Sequence, residues 1–111
     1  MIFASMNNSQ VFNALFKQGR SFHADAFVCF FQSAENPEVA FVASKKVGNA
    51  VKRNFARRRL RELFRAEAPA APKGRYALVA KKPIAEADFG ALRGQFSRVF
   101  RQISRKNEPK V

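Results

Sequence analysis

Apolar residues recur along this chain in two rhythms, one helical at about 3.6 residues and one strand-like at about two. The first helical stretch is Gln10 to Gln18. Val11 pairs with Leu15, and Phe12 with Phe16, at i,i+4 spacing; Ser9 is placed to cap the start and Gly19 to follow the end. From Phe22 to Gln32 the rhythm changes: Ala26, Val28 and Phe30 alternate with Phe27, Cys29 and Phe31, which predicts one strand apolar on both faces. Asn36-Pro37 lies in a turn, and Val39 to Ser44 is a second two-faced strand. The short link between these runs predicts an antiparallel hairpin. Lys45 to Gly48 reads as a loop. Asn49 then caps a helix to about Ala68, ended by Pro69 and Pro72. Arg75 to Lys81 is a third strand, stopped by Pro83. Asp88 caps a last helix to about Arg105, with Phe89, Leu92, Phe96, Val99, Phe100 and Ile103 as its apolar stripe.

The order α-β-β-α-β-α predicts an α+β fold, a compact two-layer sandwich of helices on a small central sheet. At 111 residues the chain is expected to be a single domain spanning 1–111, with 1–8 and 106–111 flexible.

Charge changes the picture most. Lys and Arg number 21 against 8 Asp and Glu, a net +13. Such an excess repels itself and favours a polyanionic partner, with nucleic acid ahead of an anionic membrane surface. No apolar run approaches the roughly 20 residues needed to span a bilayer, and Met1 to Gln10 does not read as a secretory signal. The lone cysteine, Cys29, cannot form an intrachain disulfide. The expectation is a soluble cytoplasmic protein.

On a helical wheel Ala56, Leu60, Leu63 and Phe64 share the core side of the Asn49–Arg65 segment. Asn54, Arg57, Arg58, Arg61 and Arg65 share the other side, with Arg53 at its edge and Lys45 and Lys46 just upstream. Glu62 is the one acid in the segment. A merely solvated face mixes signs; this one reads as a phosphate-binding ridge, because guanidinium forks match phosphate oxygens. A second candidate surface is apolar. Phe12 and Phe16 share a helix face and Val28 and Phe30 a strand face, with Ala40 and Val42 expected on the neighbouring strand. Part of that surface is expected to stay open as a cleft rimmed by Lys17 and Arg20, suited to single-stranded nucleic acid.

Catalytic chemistry is not legible. The acids are scattered, with no pair spaced for two-metal hydrolysis; His23 stands alone, and Cys29 alternates with core positions. No catalytic residue and no metal ligand is assigned, and the chain reads as a binder.

The run Ala43-Ser44-Lys45-Lys46-Val47-Gly48-Asn49-Ala50-Val51-Lys52-Arg53-Asn54, continued by Arg57-Arg58-Arg59-Leu60-Arg61-Glu62-Leu63-Phe64-Arg65, resembles the signature of the bacterial ribonuclease P protein subunit. Phe12 to Arg20, Tyr76 to Pro83 and Phe96 to Arg101 are similar to further parts of that family, so the resemblance covers about residues 11 to 105. It implies a subunit of the endoribonuclease that removes the 5′ leader from precursor tRNA. Catalysis would then belong to a large RNA subunit with Mg²⁺, and this chain would hold no cofactor itself. The implied partners are the catalytic RNA and the precursor's leader, with no membrane and no obligate protein partner. The resemblance also implies a left-handed βαβ crossover, against the usual hand.

By matching position, Lys45, Lys46, Arg53, Asn54, Arg58 and Arg61 would contact the catalytic RNA, with Arg57 and Arg65 on the same face. Phe12, Phe16 and Phe30, with Val28 beside them, would line the leader cleft. Gly48 and Asn49 would shape the loop into the helix. Two departures stand out: Phe55 occupies a position that is often Arg in the family, and Met1 to Gln10 has no Lys or Arg. A general RNA-binding or ribosome-associated domain would explain the charge but not the motif; a stand-alone nuclease would need acids that converge.

Overall fold

The computed structural model describes residues 3–6 and 9–106. Its elements are β1 (Ala4–Ser5), α1 (Ser9–Gln18), β2 (Arg20–His23), β3 (Phe27–Ser33), β4 (Glu38–Val42), α2 (Ala50–Glu67), β5 (Gly74–Ala80) and α3 (Phe89–Lys106). Short 3₁₀ turns follow α2 at Ala68–Ala70 and β5 at Lys82–Ala85. One sheet runs β1-β4-β5-β3-β2. The fold is α+β, with α2 and α3 packed on one face of the sheet and α1 across part of the other.

The strand alternation sorts residues between these faces. Phe27, Cys29 and Phe31 of β3 and Tyr76, Leu78 and Ala80 of β5 join Ala56, Leu60, Leu63 and Phe64 of α2 and Leu92, Phe96, Val99, Phe100 and Ile103 of α3 in the main core. The wheel therefore placed the inward side of α2 correctly. On the other face the buried side chains among the described residues are Met6, Leu15 and Ala77, with Phe12, Phe30 and Ala40 half-buried around them. Burial pushes the Cys29 thiol well above its ordinary range, so it stays protonated and packs as a small hydrophobe.

The predicted β3–β4 hairpin is corrected. The two strands do run in opposite directions, but β5 lies between them, antiparallel to β3 and parallel to β4. β5 is apolar on both faces, and only a central position covers both faces and satisfies both backbone edges. The Ala34–Pro37 link therefore crosses the end of β5. The parallel pair β4 and β5 is joined through α2, which makes β4–α2–β5 a βαβ unit.

The single strand expected from Phe22 to Gln32 is also corrected. It folds at Ala24–Ala26 into two antiparallel strands, β2 and β3. This bend has no Gly or Pro; Ala24 N donates to Phe27 O at 2.9 Å across it, and distant groups add to the hold. Lys81 Nζ donates to Ala24 O at 2.7 Å, and Ala26 N donates to Gln95 Oε1 at 3.1 Å. Of segment 1–8, residues 3–6 contain β1, and Met6 is buried; Lys106 ends α3. The rest of 1–8 and 107–111 lies outside the described residues, as do the side chains of Ser9 and Val11 that were read as cap and core.

Candidate nucleic-acid interface

The loop into α2 is built for its turn. Gly48 adopts φ 145°, a conformation L side chains rarely take, and a Cβ there would lie 2.7 Å from Lys52 Cδ. Val47 is buried and anchors the loop, which leaves Lys45 and Lys46 exposed. Asn49 caps the helix as expected, its Oδ1 accepting from Lys52 N at 3.0 Å.

Along α2, Asn54, Arg58, Arg61 and Arg65 are exposed, and Arg53 and Arg57 are half-buried. Arg57 Nη2 donates to Asn54 Oδ1, fixing two members of the ridge against each other. The ion pairs among the described residues, Lys73–Glu35 and Arg75–Glu38, both lie elsewhere. Among the described residues the ridge is thus a row of cations without carboxylate partners, the state that favours an external anion.

Two apolar side chains that the charge reading passed over belong to this surface. Val51 is 76% exposed, and Phe55 is half-buried beside it. Together with Asn54, Arg57, Arg58 and Arg61 they line an open groove of about 590 Å³. The Arg59 and Arg58 guanidinium carbons lie 4.7 and 5.8 Å from the Phe55 ring centroid. Phe55 therefore serves as a platform for cations. Its departure from the family pattern was the available signal.

Arg59 has a different task. Its Nη1 donates to Ile84 O at 3.0 Å and to Ala87 O at 2.5 Å, tying α2 to the turn before α3. Arg59→Ala is expected to cost about 1.5–3 kcal/mol of stability, the range for hydrogen bonds to a charged group, and to reduce RNA affinity far less than Arg58→Ala. Thermal melts and RNA titrations of both variants check this.

The apolar surface also assembles. Phe12 and Phe16 ring centroids are 4.9 Å apart, and Phe16 meets Phe30 edge-on at 4.7 Å. Phe16 remains 39% exposed. Val28 lies on the same face as Phe30, but the residues beside them are Val79 and Ala77 of β5. Ala40 and Val42 stand one strand further, opposite Ala77 and Val79. This correction makes the cleft floor three strands wide. Its far end is a hollow of about 240 Å³ lined by Met6, Phe12, β4 and Arg61. Arg61 lies 5.4 Å from the Phe41 ring and borders both the hollow and the α2 groove. One side chain thus joins the basic ridge to the aromatic cleft.

Known proteins resemble this chain along most of its length. The ribonuclease P family model matches residues 3–104. The chain belongs to the ribonuclease P protein family. The ribonuclease P protein component of a Nitratiruptor species is 36% identical over 102 residues, covering 92% of this chain and 94% of that protein. That of Coprothermobacter proteolyticus is 31% identical, covering 88% and 85%. The ribonuclease P protein from Thermotoga maritima superposes with a TM-score of 0.78 at 25% identity, covering 89% and 96%. As a ribonuclease P component, the chain is a subunit of a tRNA-processing endoribonuclease, and its partner is the ribonuclease P RNA. Among the described residues, no helix is long and apolar enough to cross a membrane.

Proposed function

We propose that this ribonuclease P protein binds the catalytic RNA through α2 and its preceding loop, and the precursor's single-stranded 5′ leader through the aromatic cleft. The observation that carries this reading is the geometry around Arg61, where a cation ridge and an aromatic floor adjoin but face different directions. Lys45, Lys46, Arg53, Arg58 and Arg61 meet phosphates, with Asn54 and Arg57 held together among them and Arg65 extending the row. Phe12, Phe16 and Phe30 offer ring surface to unpaired bases, with Val28 completing the apolar face. Stacking of this kind tolerates any sequence, because every base has a π-face, and that suits leaders of varied sequence.

Bond cleavage is assigned to the RNA. Among the described residues no three His, Cys, Asp or Glu side chains converge on one point. The protein's part is to bind, orient and neutralise.

Reconstitution tests the reading. Adding this protein to its cognate catalytic RNA at low Mg²⁺ should increase cleavage of precursor tRNA over RNA alone; no increase would sink it. For the cleft, Phe16→Ala should weaken binding of precursor with a leader by about 1–3 kcal/mol, one stacked base, and leave mature tRNA nearly unchanged. Equal loss for both ligands would remove the leader from the cleft.

A further inference from the structure

The sheet end where α1 and α3 both terminate carries a cavity and a second concentration of cations. The cavity holds about 230 Å³. Phe22, Phe31 and Ile103 form its apolar wall, Gln18, Gln32 and Ser33 bring polar groups, and Arg20 and Lys106 flank it. Among the described residues no carboxylate lines it, and Lys106 Nζ lies 5.6 Å from the Phe22 ring. The volume is several times a water's share of about 30 Å³ and falls below the roughly 300 Å³ where drug-sized pockets begin. It suits one flat heterocycle.

α3 contains Arg93, Arg98, Arg101, Arg105 and Lys106 and no acid. Cations in a last helical turn complement the macrodipole, which accounts for Arg105 and Lys106 but not for Arg98 and Arg101. Those two and Arg105 are exposed at i, i+3 and i+7, one stripe along the helix that leads to the cavity. The cavity also adjoins the cleft. Phe16 of the cleft and Gln18 of the cavity share the last turn of α1. Phe30 and Phe31, neighbours on β3, face the cleft and the cavity respectively.

We propose that the cavity receives one base of the leader beyond those held in the cleft, as the strand passes around the end of α1. Arg20, Lys106 and the Arg101–Arg105 side of α3 receive the adjoining phosphates. This rests on the leader reading of the cleft and extends it to a second subsite. The polar atoms of Gln18, Gln32 and Ser33 face base edges there, so this subsite discriminates between bases in a way that the cleft's rings do not.

The test uses the reconstituted holoenzyme and two precursors, one with a long leader and one with the leader trimmed to what the cleft spans. Arg105→Glu/Lys106→Glu should weaken binding of the long-leader precursor about tenfold and of the trimmed one by less than about twofold, since the lost contacts are to phosphates absent from the latter. Ser33→Cys carrying an aryl azide should cross-link to the leader well above the level given by Glu86→Cys at a distant turn. Equal losses for both precursors, cross-links to the catalytic RNA alone, or none above the control would overturn the proposal. Phe16→Ala on the same precursors separates the two ideas. A leader effect from Phe16→Ala but none from the charge reversals removes the cavity and keeps the cleft; no leader effect from Phe16→Ala removes the cleft and, with it, the cavity's place as a second subsite.

Discussion

Arg58→Ala combined with Arg61→Ala is expected to lower affinity for the ribonuclease P RNA by about a hundredfold, near 1.4 kcal/mol for each side chain. Both guanidiniums are exposed, and among the described residues neither forms an ion pair, so the loss falls on binding and not on folding. A charge-assisted hydrogen bond is worth about 1.5–3 kcal/mol, and neighbouring cations recover part of it by taking over the same phosphate. The salt dependence is the sharper readout. Removing two phosphate contacts should flatten the slope of log K against log salt by roughly 1.4–1.8. Titrations of the catalytic RNA at several salt concentrations measure both quantities. A drop in affinity with an unchanged slope would mean that these arginines act through structure and not through phosphate.

Tyr76→Ala is expected to destabilise the fold by about 3–5 kcal/mol, the range for losing a large aromatic core side chain. Tyr76 is fully buried in the central strand, and its ring meets Phe3, Phe31, Phe64 and Phe100 within 5.6 Å. Both burial of its hydroxyl and the nearby Cys29 push the phenol above its ordinary range, so it remains a neutral donor. That donor reaches Pro72 O at 2.5 Å and ties the post-α2 turn to β5. Tyr76→Phe keeps the ring and should cost only about 1 kcal/mol. At roughly 4–8 °C of melting temperature per kcal/mol for a domain of this size, the two variants are readily told apart by thermal melts. A similar loss in both would place the energy in the hydroxyl and not in the ring.

Much of the local geometry of α2 and its preceding loop was legible in the sequence. The α2 wheel separated Ala56, Leu60, Leu63 and Phe64 from the cation face, because a helix is a local object whose two sides follow from spacing alone. Gly48 and Asn49 were likewise readable, since a positive-φ turn and an N-cap depend on a few adjacent residues. Arg59 was not. Only the turn carbonyls of Ile84 and Ala87, distant in the chain, show why a cation sits there. Gly19 gave its location but not its reason: it takes no left-handed conformation, and a Cβ would lie 2.5 Å from Leu15 O.

By itself, the sequence determined the helices, the two-faced character of the strands, the excess of positive charge and the motif that names the family. The tertiary structure alone decided strand order, the Ala24–Ala26 bend, the three-strand cleft floor and the place of Arg61 between ridge and cleft. The reason is physical. Periodicity says which residues share a face, but it is blind to which strand lies beside which. That choice falls to long-range pairing, where β5, apolar on both sides, has most to gain from the centre. The bend at Ala24–Ala26 carries only Asp25 as a turn residue, and much of its support comes from Lys81 and Gln95, far along the chain, which periodicity cannot see.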